Sequence, residues 1–183
     1  AITGNIVLNV ISSTTEPATP TALFASGVSS ANYTSVLIKP TATATISANG
    51  TPTSGKGVIE LCGADNVTID GSITVGGTSQ DLTISTGSTS NTVMACVRLA
   101  GGTTSPALGC NNITIKNCKL VGNATSTSYT GVCGIAAASA YSSATSTGAF
   151  TIAGSSADPD NVTITNNLIT KCYYGIYFKA TSG

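Results

Sequence analysis

Apolar residues along this chain fall in bursts of three to five positions that alternate with polar ones, as in Val67-Thr68-Ile69, Ile113-Thr114-Ile115 and Val162-Thr163-Ile164. Alternation with period two is the signature of a strand with one buried face. No segment holds an i, i+3, i+4 stripe for three helical turns, so the pattern predicts an all-β chain. The bursts also repeat as longer units. Asp65-Asn66-Val67-Thr68-Ile69-Asp70-Gly71 returns as Asn111-Asn112-Ile113-Thr114-Ile115-Lys116-Asn117 and as Asp160-Asn161-Val162-Thr163-Ile164-Thr165-Asn166, with starts 46 and 49 residues apart.

Two further bursts follow each copy in constant order. They are Leu82-Thr83-Ile84 and Val97-Arg98-Leu99, then Leu120-Val121 and Val132-Cys133-Gly134-Ile135, then Leu168-Ile169 and Gly175-Ile176-Tyr177-Phe178. Val36-Leu37-Ile38, Thr45-Ile46 and Val58-Ile59-Glu60-Leu61 supply an earlier set, and Asn5 to Val10 opens the first. Strands this short cannot bury an apolar face alone, so the copies must stack into a continuous core. Constant order makes stacked strands parallel. The expected fold is a parallel β-helix, a solenoid of about four coils with three short strands each. It forms one domain over residues 1–183, read as a segment of a longer chain.

Register follows from the same alignment. Equivalent positions on neighbouring coils lie about 4.8 Å apart, which sets Glu60 beside Arg98, Asp70 beside Lys116, and Thr68, Thr114 and Thr163 in one outward ladder. Both charge pairs are expected at the surface, where such pairs contribute about 0–1 kcal/mol. Asn117, Asn166 and Asn167 stand at strand ends, where a left-handed backbone is needed and Asn tolerates it. The Ser/Thr/Ala/Gly-rich stretches Ser85–Asn91, Thr103–Gly109, Asn123–Thr130 and Ala138–Gly148 read as loops leaving the coil, the places where a solenoid carries recognition.

Composition narrows the function. Thr, Ser, Gly and Asn make up nearly half of the 183 residues, only 8% are charged, and the net charge is zero. A chain without a basic field is not expected to bind nucleic acid. The absence of His removes the commonest general base and metal ligand. No apolar run approaches the roughly 20 residues of a membrane-spanning helix, and Ala1-Ile2-Thr3-Gly4 carries no leader pattern. Six cysteines in a Ser/Thr-rich chain point to an oxidising, extracellular compartment. Cys96 and Cys133 occupy or adjoin apolar strand positions, where a free Cys is a small core residue. Cys62, Cys110 and Cys118 stand near strand ends, where bridges between coils are feasible. With Cys172 these form the candidate set for at least one disulfide, with no pairing specified by the sequence.

The string Val58-Ile59-Glu60-Leu61-Cys62-Gly63-Ala64-Asp65-Asn66-Val67-Thr68-Ile69-Asp70-Gly71, the Asn111–Cys118 copy, Tyr173-Tyr174-Gly175-Ile176-Tyr177 and the opening Thr3–Val10 with Thr15-Glu16-Pro17 together resemble the right-handed β-helix regions of large secreted surface proteins of Bacteroidota. The resemblance spans nearly the whole chain. It implies a right-handed coil and a place in a secreted or outer-surface rod, adhesin or fibre.

Other chemistries compete with that reading. Pectate lyases and polygalacturonases use a similar coil, but fold alone does not carry activity. A glycosidase needs paired carboxylates across the scissile bond, and a lyase needs a base, usually with acidic Ca²⁺ ligands. The seven acids are Glu16, Glu60, Asp65, Asp70, Asp81, Asp158 and Asp160. Asp158-Pro159-Asp160-Asn161 is the best pair and a weak Ca²⁺ candidate, since Asp-Pro and Asp-Asn are also ordinary turn chemistry. Thr41-Ala42-Thr43-Ala44-Thr45 and the Thr68 ladder are the surface an ice-binding solenoid would use, though Thr is equally an ordinary outward strand residue. Tyr173, Tyr174 and Tyr177 form the one aromatic cluster, with Phe178 pointing inward; they are the candidate contact for a sugar ring or a second chain, although edge packing at the last turn is the safer reading. Of the six N-x-S/T triplets, at Asn32, Asn49, Asn66, Asn112, Asn123 and Asn161, three belong to the strand motif. The sequence thus leads to a structural or adhesive solenoid rather than an enzyme, with no cofactor. Its expected partners are itself, other surface proteins or glycans. Carbohydrate binding or degradation stands as the alternative, and ice binding as the second.

Overall fold

The computed structural model describes residues 2–28, 31–49, 55–87, 94–102, 108–123, 132–140 and 158–178. All regular structure among them is β. The strands are β1 (Ile2–Val10), β2 (Thr14–Glu16), β3 (Leu23–Phe24), β4 (Ala31–Pro40), β5 (Ala44–Ala48), β6 (Lys56–Cys62), β7 (Val67–Asp70), β8 (Leu82–Ser85), β9 (Met94–Gly101), β10 (Asn111–Lys116), β11 (Cys118–Val121), β12 (Val132–Ala140), β13 (Asp160–Thr165), β14 (Leu168–Thr170) and β15 (Tyr174–Phe178). Every third strand joins the same sheet, giving the orders β1-β4-β7-β10-β13, β2-β5-β8-β11-β14 and β3-β6-β9-β12-β15. We call these sheets A, B and C. All pairings are parallel. The molecule is a parallel β-helix.

It has five coils rather than about four. The extra one is the first, in which Thr14–Glu16 pairs with β5 and Leu23–Phe24 pairs with β6. These two strands are three and two residues long and carry little of the alternation that marks the others. Neighbouring coils, rather than local pattern, make them strands. The expected loops are also shorter at their edges, because Ser85 belongs to β8 and Ala138 to Ala140 belong to β12. Most of the remaining loop residues lie outside the described set.

Inward columns form the core. Leu8, Ile38, Ile69, Ile115 and Ile164 stack in sheet A, and Thr14, Ile46, Ile84, Leu120 and Ile169 in sheet B. Ile69, Ile84, Ile115 and Leu120 are fully buried, whereas Ile164 and Ile169 on the last coil are only partly covered. Burying one such side chain contributes about 1.5–3 kcal/mol, so stability depends on each coil having a neighbour on both sides.

Corners depend on left-handed backbone. Asn66, Asn112, Asn117, Asn161 and Asn166 all have φ near +50°, a region where Asn is enriched among non-Gly residues. The expectation therefore holds for Asn117 and Asn166 but not for Asn167. Asn167 instead braces the adjoining coil: its side chain accepts from the Cys118 amide at 2.9 Å and donates to the Ile115 carbonyl at 2.8 Å. Gly71 is needed for space, since a Cβ there would collide with the Asn117 backbone of the next coil.

Ile115 sits mid-column with coils above and below it. Ile115→Ala is expected to lower unfolding stability by about 2–5 kcal/mol in urea titration, while the same change at Ile164 on the terminal coil costs clearly less. Equal losses at the two positions would contradict the stacked-column account of the core.

Candidate functional site

The aligned charges meet as the register requires, but not where expected. Glu60 pairs with Arg98 across β6 and β9, and their side chains form an ion pair with no exposed surface. Lys56 adds a second cation at 3.9 Å from Glu60, and the Gly57 amide donates to the same carboxylate at 2.7 Å. The pair is thus buried, not a surface decoration. Its setting explains this, because every residue of β9 is buried and β6 is buried on both faces apart from the half-buried Ile59. The signal was present in Met94-Ala95-Cys96-Val97-Arg98-Leu99-Ala100: a near-continuous apolar run marks a strand covered on two sides, whereas alternation marks one covered on one side. Burial pushes the Glu60 carboxyl up, opposed by Arg98, the Gly57 amide and Lys56. Burial likewise lowers the Lys56 ammonium. Two cations and an amide thus surround this one acid.

Asp70 and Lys116 face each other across β7 and β10, with 3.2 Å between Oδ2 and Nζ. Burial alone would raise the Asp70 carboxyl. Hydrogen bonds from Asn117 at 2.7 Å and the Ser72 amide at 3.1 Å, together with Lys116, more than offset that and hold it below the usual carboxylate value. Asp81 is likewise held low by the Ser79 hydroxyl and the Ile73 amide. Both anchor the loop between β7 and β8, and Lys39 reaches the Ile73 carbonyl at 2.8 Å. A carboxyl with a lowered folded value stabilises the native state above its unfolded value and loses that contribution as pH falls through the folded one. Denaturant midpoints are therefore expected to drop below about pH 4. In Asp70→Asn the midpoint at pH 6 should be lower and the acid slope shallower; an unchanged slope would remove Asp70 from this role.

Side-chain ladders run along the coils outside the core. Asn161 donates to Asn112 at 3.3 Å and Asn112 to Asn66 at 3.1 Å; Asn166 donates to Asn117 at 2.7 Å. The repeats mark these positions, and the amide chains between them are a product of the wound coil. Thr68, Thr114 and Thr163 stand in one register as expected, two residues from the charged Asp70–Lys116 step.

The cysteines correct one expectation. No disulfide is formed among the six. Cys62, Cys96, Cys110, Cys118 and Cys133 are buried, where they pack as small core groups. Cys62 donates to the Gly101 carbonyl at 3.2 Å and Cys118 to the Lys116 carbonyl at 3.1 Å. Cys172 is half-exposed. A hydrogen bond from the Cys96 thiol holds the Cys172 thiol below its ordinary value. Burial raises Cys62 to about 11 and Cys110, Cys118 and Cys133 each to about 12. Thiolate is the reactive form, so iodoacetamide near neutral pH is expected to label Cys172 first, with the other five reacting only on unfolding. Peptide mapping that finds one of those five labelled first would contradict this ordering.

The aromatic cluster lies on the last coil. Tyr173 and Tyr174 are exposed and meet edge to face at 4.7 Å, and Tyr174 lies 5.3 Å from Tyr177. Tyr177 is half-buried and packs on Ala95, Cys133 and Ala136, as edge packing on the last coil would have it. Phe178 occupies the inward column beside Ala137 yet remains 47% exposed. Asp160 begins β13, its amide bound to the Cys110 carbonyl at 3.0 Å, and Asp158 precedes it by one proline. Among the described residues no group of three His, Cys, Asp or Glu side chains is placed to hold a metal ion, and no helix is long and apolar enough to cross a membrane. At the opposite end, the first coil surrounds an open cavity of about 500 Å³, lined by apolar side chains including Leu8, Val10 and Leu23 with Glu16 at its wall.

No protein-family model, curated protein or solved structure matches this chain.

Proposed function

We propose that this chain is a structural or adhesive β-helix of a secreted or outer-surface protein, a stiff rod that carries loops rather than an enzyme. The observation that carries the reading is the use made of its acids: Glu60 and Asp70 are buried in ion pairs and hydrogen bonds, and Asp81 is tied to Ser79 and Ile73. Glu60 does share the lining of the first-coil cavity with Glu16, but its carboxylate is taken up by Arg98, Lys56 and the Gly57 amide instead of being offered to a sugar across that cavity, as glycoside cleavage requires of paired acids. Three sheets of parallel ladders around one column-packed core give a body that resists local opening. The resemblance of the repeats to Bacteroidota surface β-helices supports the same reading and the extracellular location.

A second reading, glycan binding, draws on Tyr173 and Tyr174, two exposed rings on one end of the solenoid. Ice binding has less behind it, since the aligned Thr column spans only Thr68, Thr114 and Thr163.

Incubation with a panel of polysaccharides is expected to release no reducing or unsaturated sugars, while antibody labels intact cells of the source. Soluble sugar products would overturn the structural reading. Binding on a glycan array that disappears in Tyr173→Ala/Tyr174→Ala would move the protein to the second reading.

A further inference from the structure

We infer that Cys96 and Cys172 form a two-sulfur site for a soft monovalent cation, Cu(I), in the corner between sheets B and C at the level of the fourth coil. The site goes beyond the rod reading and does not rest on it.

Stacking builds the site. Cys96 lies in β9 between Ala95 and Val97, which pair with Cys133 and Ile135, so Gly134 of β12 stands over it. Cys133 and Ile135 pair in turn with Tyr174 and Ile176, which places Gly175 over Gly134. Cys172 enters from the short corner of residues 171–173 that joins β14 to β15, where Lys171 turns the chain with φ +54°. Its sulfur comes so close to Gly122 of the fourth coil that a Cβ there would stand 2.8 Å from it. Among the described residues the fourth coil therefore sets two glycines, Gly122 and Gly134, where side chains would otherwise part the third coil from the fifth. Cys96 reaches this level from the main core, and the two sulfurs meet. The Cys96 thiol donates to Cys172, and the Cys172 thiol donates to the Thr170 carbonyl at 3.3 Å.

Two features decide what the pair takes. Cys96 and Cys172 belong to coils two apart, a separation of about 9.6 Å along the axis at about 4.8 Å per step. That exceeds the roughly 7 Å beyond which two Cys Cα atoms cannot be bridged without moving the backbone, so the sulfurs touch without being placed for a disulfide. An ion between them replaces one S–S bond of about 2 Å by two metal–thiolate bonds of about 2.3 Å each, and so spans what a disulfide cannot. The donor set is the second feature. Among the described residues no group of three His, Cys, Asp or Glu side chains is placed to hold a metal, and Cys133 packs with Ala95 and Ala136 in a separate cluster. Zn²⁺ takes four ligands in such structural sites. Thiolates select Cu(I), whose filled d shell imposes no geometry and accepts two sulfurs in line. The ion takes the place of the proton that Cys96 holds toward Cys172, one monovalent cation for another. Two S–H bonds break and two Cu–S bonds form; both protons leave to solvent, and no electron is transferred.

Anaerobic titration of the reduced chain with Cu(I) as its acetonitrile complex, in competition with bicinchoninate, tests this. One equivalent per chain is expected to bind, with an ultraviolet thiolate-to-copper charge-transfer band and two sulfur neighbours in X-ray absorption. Cys96→Ala and Cys172→Ala each weaken that equivalent by more than the roughly 10- to 100-fold that loss of an outer-shell partner costs, while Cys133→Ala keeps it. Cys96 is buried in the core, so Cys172→Ala, on the corner, is the variant that must retain the β spectrum of the wild type. A folded chain that binds no equivalent against the competitor, an equivalent that survives Cys172→Ala, or one lost in a folded Cys133→Ala would overturn the site. So would a Cys96–Cys172 disulfide recovered by peptide mapping after incubation of the folded chain with oxidised glutathione.

Discussion

Everything in this molecule depends on one constraint: a strand of three to six residues with one apolar face is stable only when an equivalent strand lies about 4.8 Å above or below it. The inward columns Ile38-Ile69-Ile115 and Ile46-Ile84-Leu120 are its direct expression. Because identical inward spacing recurs in each coil, a slip of one residue would turn a whole column to solvent. Register is therefore held by the core, and the polar ladders are read out from it. The amide chains through Asn66, Asn112 and Asn161 and the opposed charges of Asp70 and Lys116 follow the apolar columns.

The same constraint explains the gradient of burial. The middle coils have neighbours on both sides and bury Ile69, Ile84, Ile115 and Leu120 completely, while Leu8, Ile176 and Phe178 on the first and fifth coils stay about half exposed. A solenoid has no intrinsic means of closing its ends, so its terminal coils must be polar, covered or used. Among the described residues the inward columns of the first and fifth coils are apolar in sheets A and C, while sheet B of the first carries Thr14 and Glu16.

Sheet C departs from the simple picture. Its central strands bury Glu60, Arg98 and Lys56 together. Taking such charges out of water is costly unless they neutralise each other, and the geometry meets that requirement with two cations and one amide around a single carboxylate. Gly57 makes the approach feasible, since a Cβ there would stand 2.7 Å from the Cβ of Arg98. What looks in the sequence like a surface ion pair is an interior one that ties the second coil to the third.

The repeat of Asn-Val-Thr-Ile motifs by itself determined the parallel β-helix, the three-strand coil, the partners of Glu60 and Asp70 and the shared column of Thr68, Thr114 and Thr163, because periodicity and stacking leave no other arrangement for strands so short. It did not reveal the first coil in full, since Thr14–Glu16 and Leu23–Phe24 are strands only through pairing with β5 and β6. Nor did it disclose that β6 and β9 are covered on both faces, that no disulfide joins the six cysteines and Cys172 is set against Cys96, or that Tyr177 packs beside Ala136 on the face of sheet C away from the main core. Those properties depend on distances between residues far apart in the chain, and only the wound coil brings them into contact.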